Sequence, residues 1–173
     1  QGSSVRLTGP CQLTACDVVV PGDFSSAAFF LVAGCLAARG VLRLEGVGMN
    51  PTRTGLIEIL RSMGARIEVA NPRLSGGEPI ADLDVHPSAL HGVSVPRELV
   101  PLAIDEFPVL FVAAACAAGD TLVTGAEELR VKETDRIAVM AAGLRALGAT
   151  VETLADGMRI SGGALSGGTI DCG

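Results

Sequence analysis

Tryptophan and tyrosine are absent from this 173-residue sequence and phenylalanine occurs only five times, so aromatic residues make up 3% of the chain. With 49% of residues hydrophobic, the core has to be aliphatic, built from Ala, Leu, Val and Ile. Basic residues are also scarce: 13 Lys and Arg stand against 19 Asp and Glu, a net charge of -6. That balance excludes a broad nucleic-acid surface, because phosphate binding of that kind needs a basic face. The longest apolar run, Ala27 to Ala38, falls short of the about 20 residues that cross a bilayer. No basic-then-apolar segment opens the chain. The reading is a soluble, cytoplasmic protein with neither a membrane nor a nucleic acid as partner. The five cysteines include no CxxC pair at metal-ligand spacing, so no zinc site is expected. Cys35 and Cys116 lie in apolar helical runs and read as small hydrophobes. His86 and His91 stand isolated between predicted elements and read as loop or surface residues.

What is present repeats. A leading apolar helix, a strand, an amphipathic helix and two short strands occur twice, first over residues 25–86 and again over 105–161. Setting Phe30 on Leu110 also sets Ala37-Ala38 on Ala117-Ala118, and Met63-Gly64-Ala65 matches Leu147-Gly148-Ala149 after a four-residue insertion. The leading helices are apolar almost all round and are expected to be buried centrally. In the second helices Leu56, Ile59, Leu60 and Met63, and Ile137, Met140, Ala141, Leu144 and Leu147, share one face. Gly64 and Gly148 suit the left-handed position that ends a helix. VRLTG and ACDVVVPG are expected to form strands before the first repeat, and the closing GGTIDCG to open a further element. No linker separates two domains, since the stretch from Asn71 to Pro79 fits a hairpin connection. The fold class expected is α/β (α+β): repeated βαβαββ units with buried helices and outer sheets. The chain is expected to be a single-domain fragment, residues 1–173, with parts of a third unit.

Three segments could carry chemistry. RVKETDR packs Arg130, Lys132 and Arg136 with Glu133 and Asp135 beside a helix start. On a helix beginning near Val131, Lys132 and Arg136 share a face, and a cationic pair at a helix N-terminus makes an anion site. The same string is compatible with a solvated first turn held by a Glu133–Arg136 contact. Asp105 opens the second buried helix; its plain reading is an N-cap, in the place that Ser25 takes in the first repeat. A carboxylate there could also accept a proton from a substrate hydroxyl. PGDFSSA, a glycine-containing turn into a helix, allows phosphate binding but is more commonly structural.

Taken together, RVKETDRI, IDEFPVLFVAAACA and PGDFSSAAFFLVA resemble the 5-enolpyruvylshikimate-3-phosphate synthases through essentially the whole chain. The resemblance implies an enolpyruvyl transferase-like fold of six similar units, three per domain, with the substrate cleft between domains. It implies transfer of the carboxyvinyl group of phosphoenolpyruvate to the 5-hydroxyl of shikimate 3-phosphate, in the shikimate route to aromatic amino acids, with no metal or organic cofactor. By resemblance, Asp105 takes the proton of the 5-hydroxyl and Lys132 lies beside that oxygen. Glu133 handles the proton at the methylene carbon, and Arg136 holds the carboxylate of phosphoenolpyruvate, which its planar fork suits. The family's early Lys-Ser-Ser region, a second arginine, an Asp-His-Arg-Met stretch and a late lysine are not in this sequence. The chain alone is therefore expected to be inactive, with the missing half of the parent enzyme as its partner. The UDP-N-acetylglucosamine enolpyruvyl transferase, which would not be expected to carry RVKETDR, and a non-catalytic module of the same repeat fold are the competing readings.

Overall fold

The structure is a computed structural model that describes residue 4 and residues 6–170. Its first unit runs α1 (Phe24–Leu36), β1 (Leu42–Gly48), α2 (Gly55–Ser62), β2 (Arg66–Ser75) and β3 (Glu78–His86). The second repeats that order with α3 (Phe107–Cys116), β4 (Gly119–Val123), α4 (Arg136–Ala146), β5 (Thr150–Leu154) and β6 (Gly157–Gly162). Each unit has a three-stranded antiparallel sheet with the last strand in the middle, ordered β1-β3-β2 and β4-β6-β5. Leu42 faces Val85 across the first, and Thr121 faces Ile160 across the second. The connection between units lies alongside β4 through parallel bridges at His91–Ala118 and Ser94–Leu122, and Gly22 bridges Val47 of β1 in the same sense. Each unit is thus entered by a strand-like segment running beside its first full strand.

The sequence explains the layers. Leu56, Ile59, Leu60, Ile137 and Ala141, the inner faces of α2 and α4, are fully buried, as the helical period requires. One continuous hydrophobic cluster runs from Phe24 through Leu110 and Phe111 to Ile160, linking both units. Small residues permit the close packing: Gly34 of α1 faces Val85 of β3, where an added Cβ would come within 2.8 Å of Cγ1. Gly64 and Gly148 end α2 and α4 with φ of 96° and 89°, the left-handed conformation expected of them.

Five expectations need correction. Residues 6–20 form no strand, and Val18, Val19 and Val20 are exposed; nothing among the described residues covers them as a second layer, so their apolar pattern has nothing to pack on. Helix α1 is not buried all round, since Phe29 is 62% exposed and Phe30 also lies open. Cys35 is buried but Cys116 is exposed at the end of α3. The hairpin expected between Asn71 and Pro79 is present but tighter: Asn71 to Ser75 belongs to β2, with Asn71 and Pro72 in its bulge, and the turn itself is Gly76-Gly77. Of the closing GGTIDCG, residues 167–170 have no regular structure, and the rest lies outside the described residues.

Candidate active site

Asp105 sits in a 3-10 turn, Ile104–Glu106, that leads into α3. Pro108 falls in the first turn of the helix, where a missing N–H and a fixed φ do no harm. Asp105 does not cap: position N-cap belongs to Glu106, and neither side chain accepts a capping bond there. The equivalence with Ser25 fails in the same way. The cap of α1 is Asp23, whose carboxylate accepts from the backbone N–H groups of Ser25 and Ser26. The Ser26 hydroxyl and that same backbone bond hold its pKa below the ordinary carboxylate range. Released from capping, Asp105 turns its carboxylate toward cations.

The basic string is also organised differently from the expectation. A 3-10 turn over Glu127–Arg130 precedes bends at residues 131–134, and α4 begins only at Arg136. Asp135 caps it, accepting from Ala138 N at 2.9 Å, and Arg130 Nη1 pairs with Asp135 at 2.8 Å. Backbone hydrogen bonding from Ala138 is the main reason Asp135 is held below its usual pKa. An Asp directly before the apolar-periodic run is a sequence signal for a cap, and it moves the helix start past Lys132. Lys132 and Arg136 therefore share no helix face. They converge from a bend and a helix start instead.

The convergence point is Asp105. Its Oδ1 lies 3.5 Å from Lys132 Nζ and 3.7 Å from Arg136 Nη1, and its Oδ2 lies 3.2 Å from Arg53 Nη2. The Asp105 side chain is 35% exposed, so these pairs orient the group more than they stabilise the fold. Lys132 also donates to Glu128 at 2.7 Å, and that hydrogen bond is the largest cause of its raised pKa. Arg136 donates to Glu133 at 3.1 Å. Glu133 is 81% exposed, and its own backbone N–H, followed by Arg136, keeps its carboxylate below the usual range. A cleft of about 510 Å³, lined by Ile104, Glu127, Glu128 and Val131 among others, adjoins the Glu128 side of Lys132.

All four residues singled out from the sequence, Asp105, Lys132, Glu133 and Arg136, fall in one network. Arg53 and Glu106, which were not singled out, complete it together with Ser25 of PGDFSSA, which was read only as the repeat counterpart of Asp105 and part of a possible phosphate turn. Arg53 stands just before α2, in PTRTG, much as Lys132 stands before α4, and a cation ahead of a helix start in the first repeat was the available signal. Among the described residues no group of three or more His, Cys, Asp or Glu is placed to hold a metal. No helix among them is long and apolar enough to cross a membrane.

The class of protein is set first by the fold. The enolpyruvyl transferase NikO from Streptomyces tendae superposes with a TM-score of 0.53 at 20% identity, covering 87% of this chain and 31% of that one; at that identity the likeness concerns architecture alone. The EPSP synthase of Acinetobacter baumannii superposes with a TM-score of 0.86 at 54% identity, over 90% of this chain and 35% of that one. The chain belongs to the EPSP synthase (3-phosphoshikimate 1-carboxyvinyltransferase) family, whose model matches residues 1–173. It is 61% identical over 170 residues to a 3-phosphoshikimate 1-carboxyvinyltransferase of Acidithiobacillus ferrooxidans, covering 98% of this chain and 39% of that protein. A protein of the same name from Alkalilimnicola ehrlichii is 62% identical over 162 residues, 94% of this chain and 36% of the relative. The chain thus spans less than two fifths of these relatives' length.

Proposed function

We propose that this chain supplies part of the active site for carboxyvinyl transfer from phosphoenolpyruvate to the 5-hydroxyl of shikimate 3-phosphate, in the cytoplasm and without a cofactor. Residues 1–173 act as a single-domain portion, two βαβαββ repeats and parts of a third unit, and turnover requires the segments that complete the relatives' length. The observation that carries the reading is the meeting of the two motifs at one carboxylate, with Lys132 and Arg136 both within 3.7 Å of Asp105 Oδ1.

In the proposed reaction Asp105 accepts the proton of the 5-hydroxyl as its oxygen bonds to C2 of phosphoenolpyruvate. Glu133, ionised in the free chain beside Arg136, must enter this step as the carboxylic acid, which engagement of Arg136 by the phosphoenolpyruvate carboxylate favours by removing its partner; it then delivers a proton to the methylene carbon, giving a tetrahedral intermediate. Lys132 stabilises negative charge at the attacking oxygen, and Arg136 binds the phosphoenolpyruvate carboxylate in a bidentate grip. Loss of phosphate from C2, with return of a methyl proton to Glu133 and transfer of the Asp105 proton to the departing phosphate or to solvent, restores the vinyl group and both carboxyl groups. Glu133 is exposed beside Arg136, which suits a group that must meet a substrate arriving from outside. Positioned acids and bases of this kind contribute about 100- to 10,000-fold, and fixed cations facing developing charge add to that.

The test is complementation. The chain is mixed with a separately produced partner carrying the remaining segments of a relative, and phosphate release is followed with both substrates. Activity only in the mixture is expected. Normal turnover by the chain alone contradicts the division of the site, and an inactive mixture of two folded partners contradicts the catalytic assignment.

A further inference from the structure

Of the carboxylates around the site, Glu106 alone is withdrawn from solvent. Its side chain is 1% exposed, and its Oε2 is buried with no hydrogen-bond partner among the described residues. An ionised carboxylate in that position is unfavourable unless it is paired, and an apolar side chain of similar size would fill the space without that penalty. Nor does Glu106 serve the helix, because it accepts no capping bond. What it does contact is specific. Its Oε1 accepts from Ser25 Oγ at 2.5 Å and lies 3.6 Å from Arg53 Nη2. The same Nη2 donates to Ser25 Oγ at 3.1 Å and approaches Asp105 Oδ2 at 3.2 Å. Arg53 is 48% exposed and needs no buried counter-ion for its own solvation. The three groups come from three places: Ser25 from α1, Arg53 from the turn before α2, and Glu106 from the entry to α3. Ser25 and Glu106 together hold the Nη2 end of the Arg53 guanidinium beside Asp105.

We propose that Glu106 is a positioning residue for the transfer reaction: with Ser25 it fixes Arg53, and Arg53 in turn holds Asp105 in the orientation that leaves Oδ1 to Lys132, Arg136 and the substrate. The proposal rests on the reading of Asp105 as the proton acceptor. Glu106 touches neither substrate nor reacting atom; it acts through Arg53.

The experiment is a double-mutant cycle in the chain extended to the full length of its relatives. Glu106→Gln is expected to lower kcat about 10- to 100-fold, as a displaced reacting group does, while KM for both substrates stays within about 3-fold. In an Arg53→Gln background the same substitution is expected to lower kcat no further, because the residue it acts through is already gone. A Glu106→Gln kcat equal to wild type, or an equal fractional fall in both backgrounds, overturns the proposal. Should Glu106→Gln not fold, Ser25→Ala, which removes the linking hydroxyl, takes its place in the cycle with the same expectations. A readout independent of turnover is NMR of the Arg53 guanidinium: hindered rotation in wild type and freer rotation in the variant are expected, and free rotation already in wild type overturns the proposal. An extended wild type with no turnover defeats the functional reading, and the NMR result then decides the role of Glu106 by itself.

Discussion

Asp23 and Asp105 stand at the entrances of the two buried helices, and only Asp23 caps one. Asp23→Ala removes acceptors from the Ser25 and Ser26 N–H groups, and is expected to lower stability by about 1 kcal/mol, measured by urea denaturation. Asp105→Asn removes no cap, so its Tm is expected to stay near that of wild type. From the sequence the two were indistinguishable, since Ser and Asp are both preferred caps and the repeat alignment set Asp105 opposite Ser25. The residues that meet at Asp105 were nonetheless legible: DEFP and RVKETDR contain Asp105, Lys132, Glu133 and Arg136, which the fold brings into one charged network. Arg53 was signalled only by its place ahead of a helix start in the first repeat, because its contact with Asp105 joins the two repeats and local spacing does not show it.

The elements followed from periodicity, and their ends followed from particular residues. The start near Val131 expected for α4 was wrong because Asp135 supplies an acceptor at the right distance from Ala138 N, and the chain before it folds as bends. The helix ends were legible because glycine alone adopts φ near 90° cheaply. Gly64 combines φ 96° with a neighbour, His91 Nδ1, only 3.1 Å from where a Cβ would sit; Gly40 has φ 90° with open space around it. Gly64→Ala is therefore expected to lose more stability than Gly40→Ala, each by about 1 kcal/mol or more, read as a larger drop in the denaturation midpoint. The first sheet carries a pH-sensitive knot at its bulge. Asp82 accepts from the Asn71 side chain, from Gly46 N–H and from Arg73, and these hold its pKa at about 2, down from 3.8. Between those values the unfolded chain binds more protons at this site than the folded one, so stability falls as pH falls through the window. Acid titration of Tm is expected to show that loss in wild type, and Asp82→Asn is expected to be less stable at neutral pH and to lose this component of the pH dependence.

Across the whole molecule the two repeats share one aliphatic core, and that core brings the entrances of α3 and α4 together at the site. Leu110, fully buried between the units, tests the coupling: Leu110→Ala is expected to destabilise by about 2–5 kcal/mol and to shift both units in one cooperative transition, followed by denaturation with probes in each. The uncovered Val18–Val20 and Phe29–Phe30 could not be foreseen from pattern, since an apolar stripe announces that it wants a partner and not whether one is present. The most direct test of the central claim is phosphate release from phosphoenolpyruvate and shikimate 3-phosphate by the chain extended to its relatives' length, wild type against Asp105→Asn. The variant is expected to keep its Tm and to lose about 100- to 10,000-fold in rate. A folded Asp105→Asn variant that turns over as fast as wild type contradicts that claim.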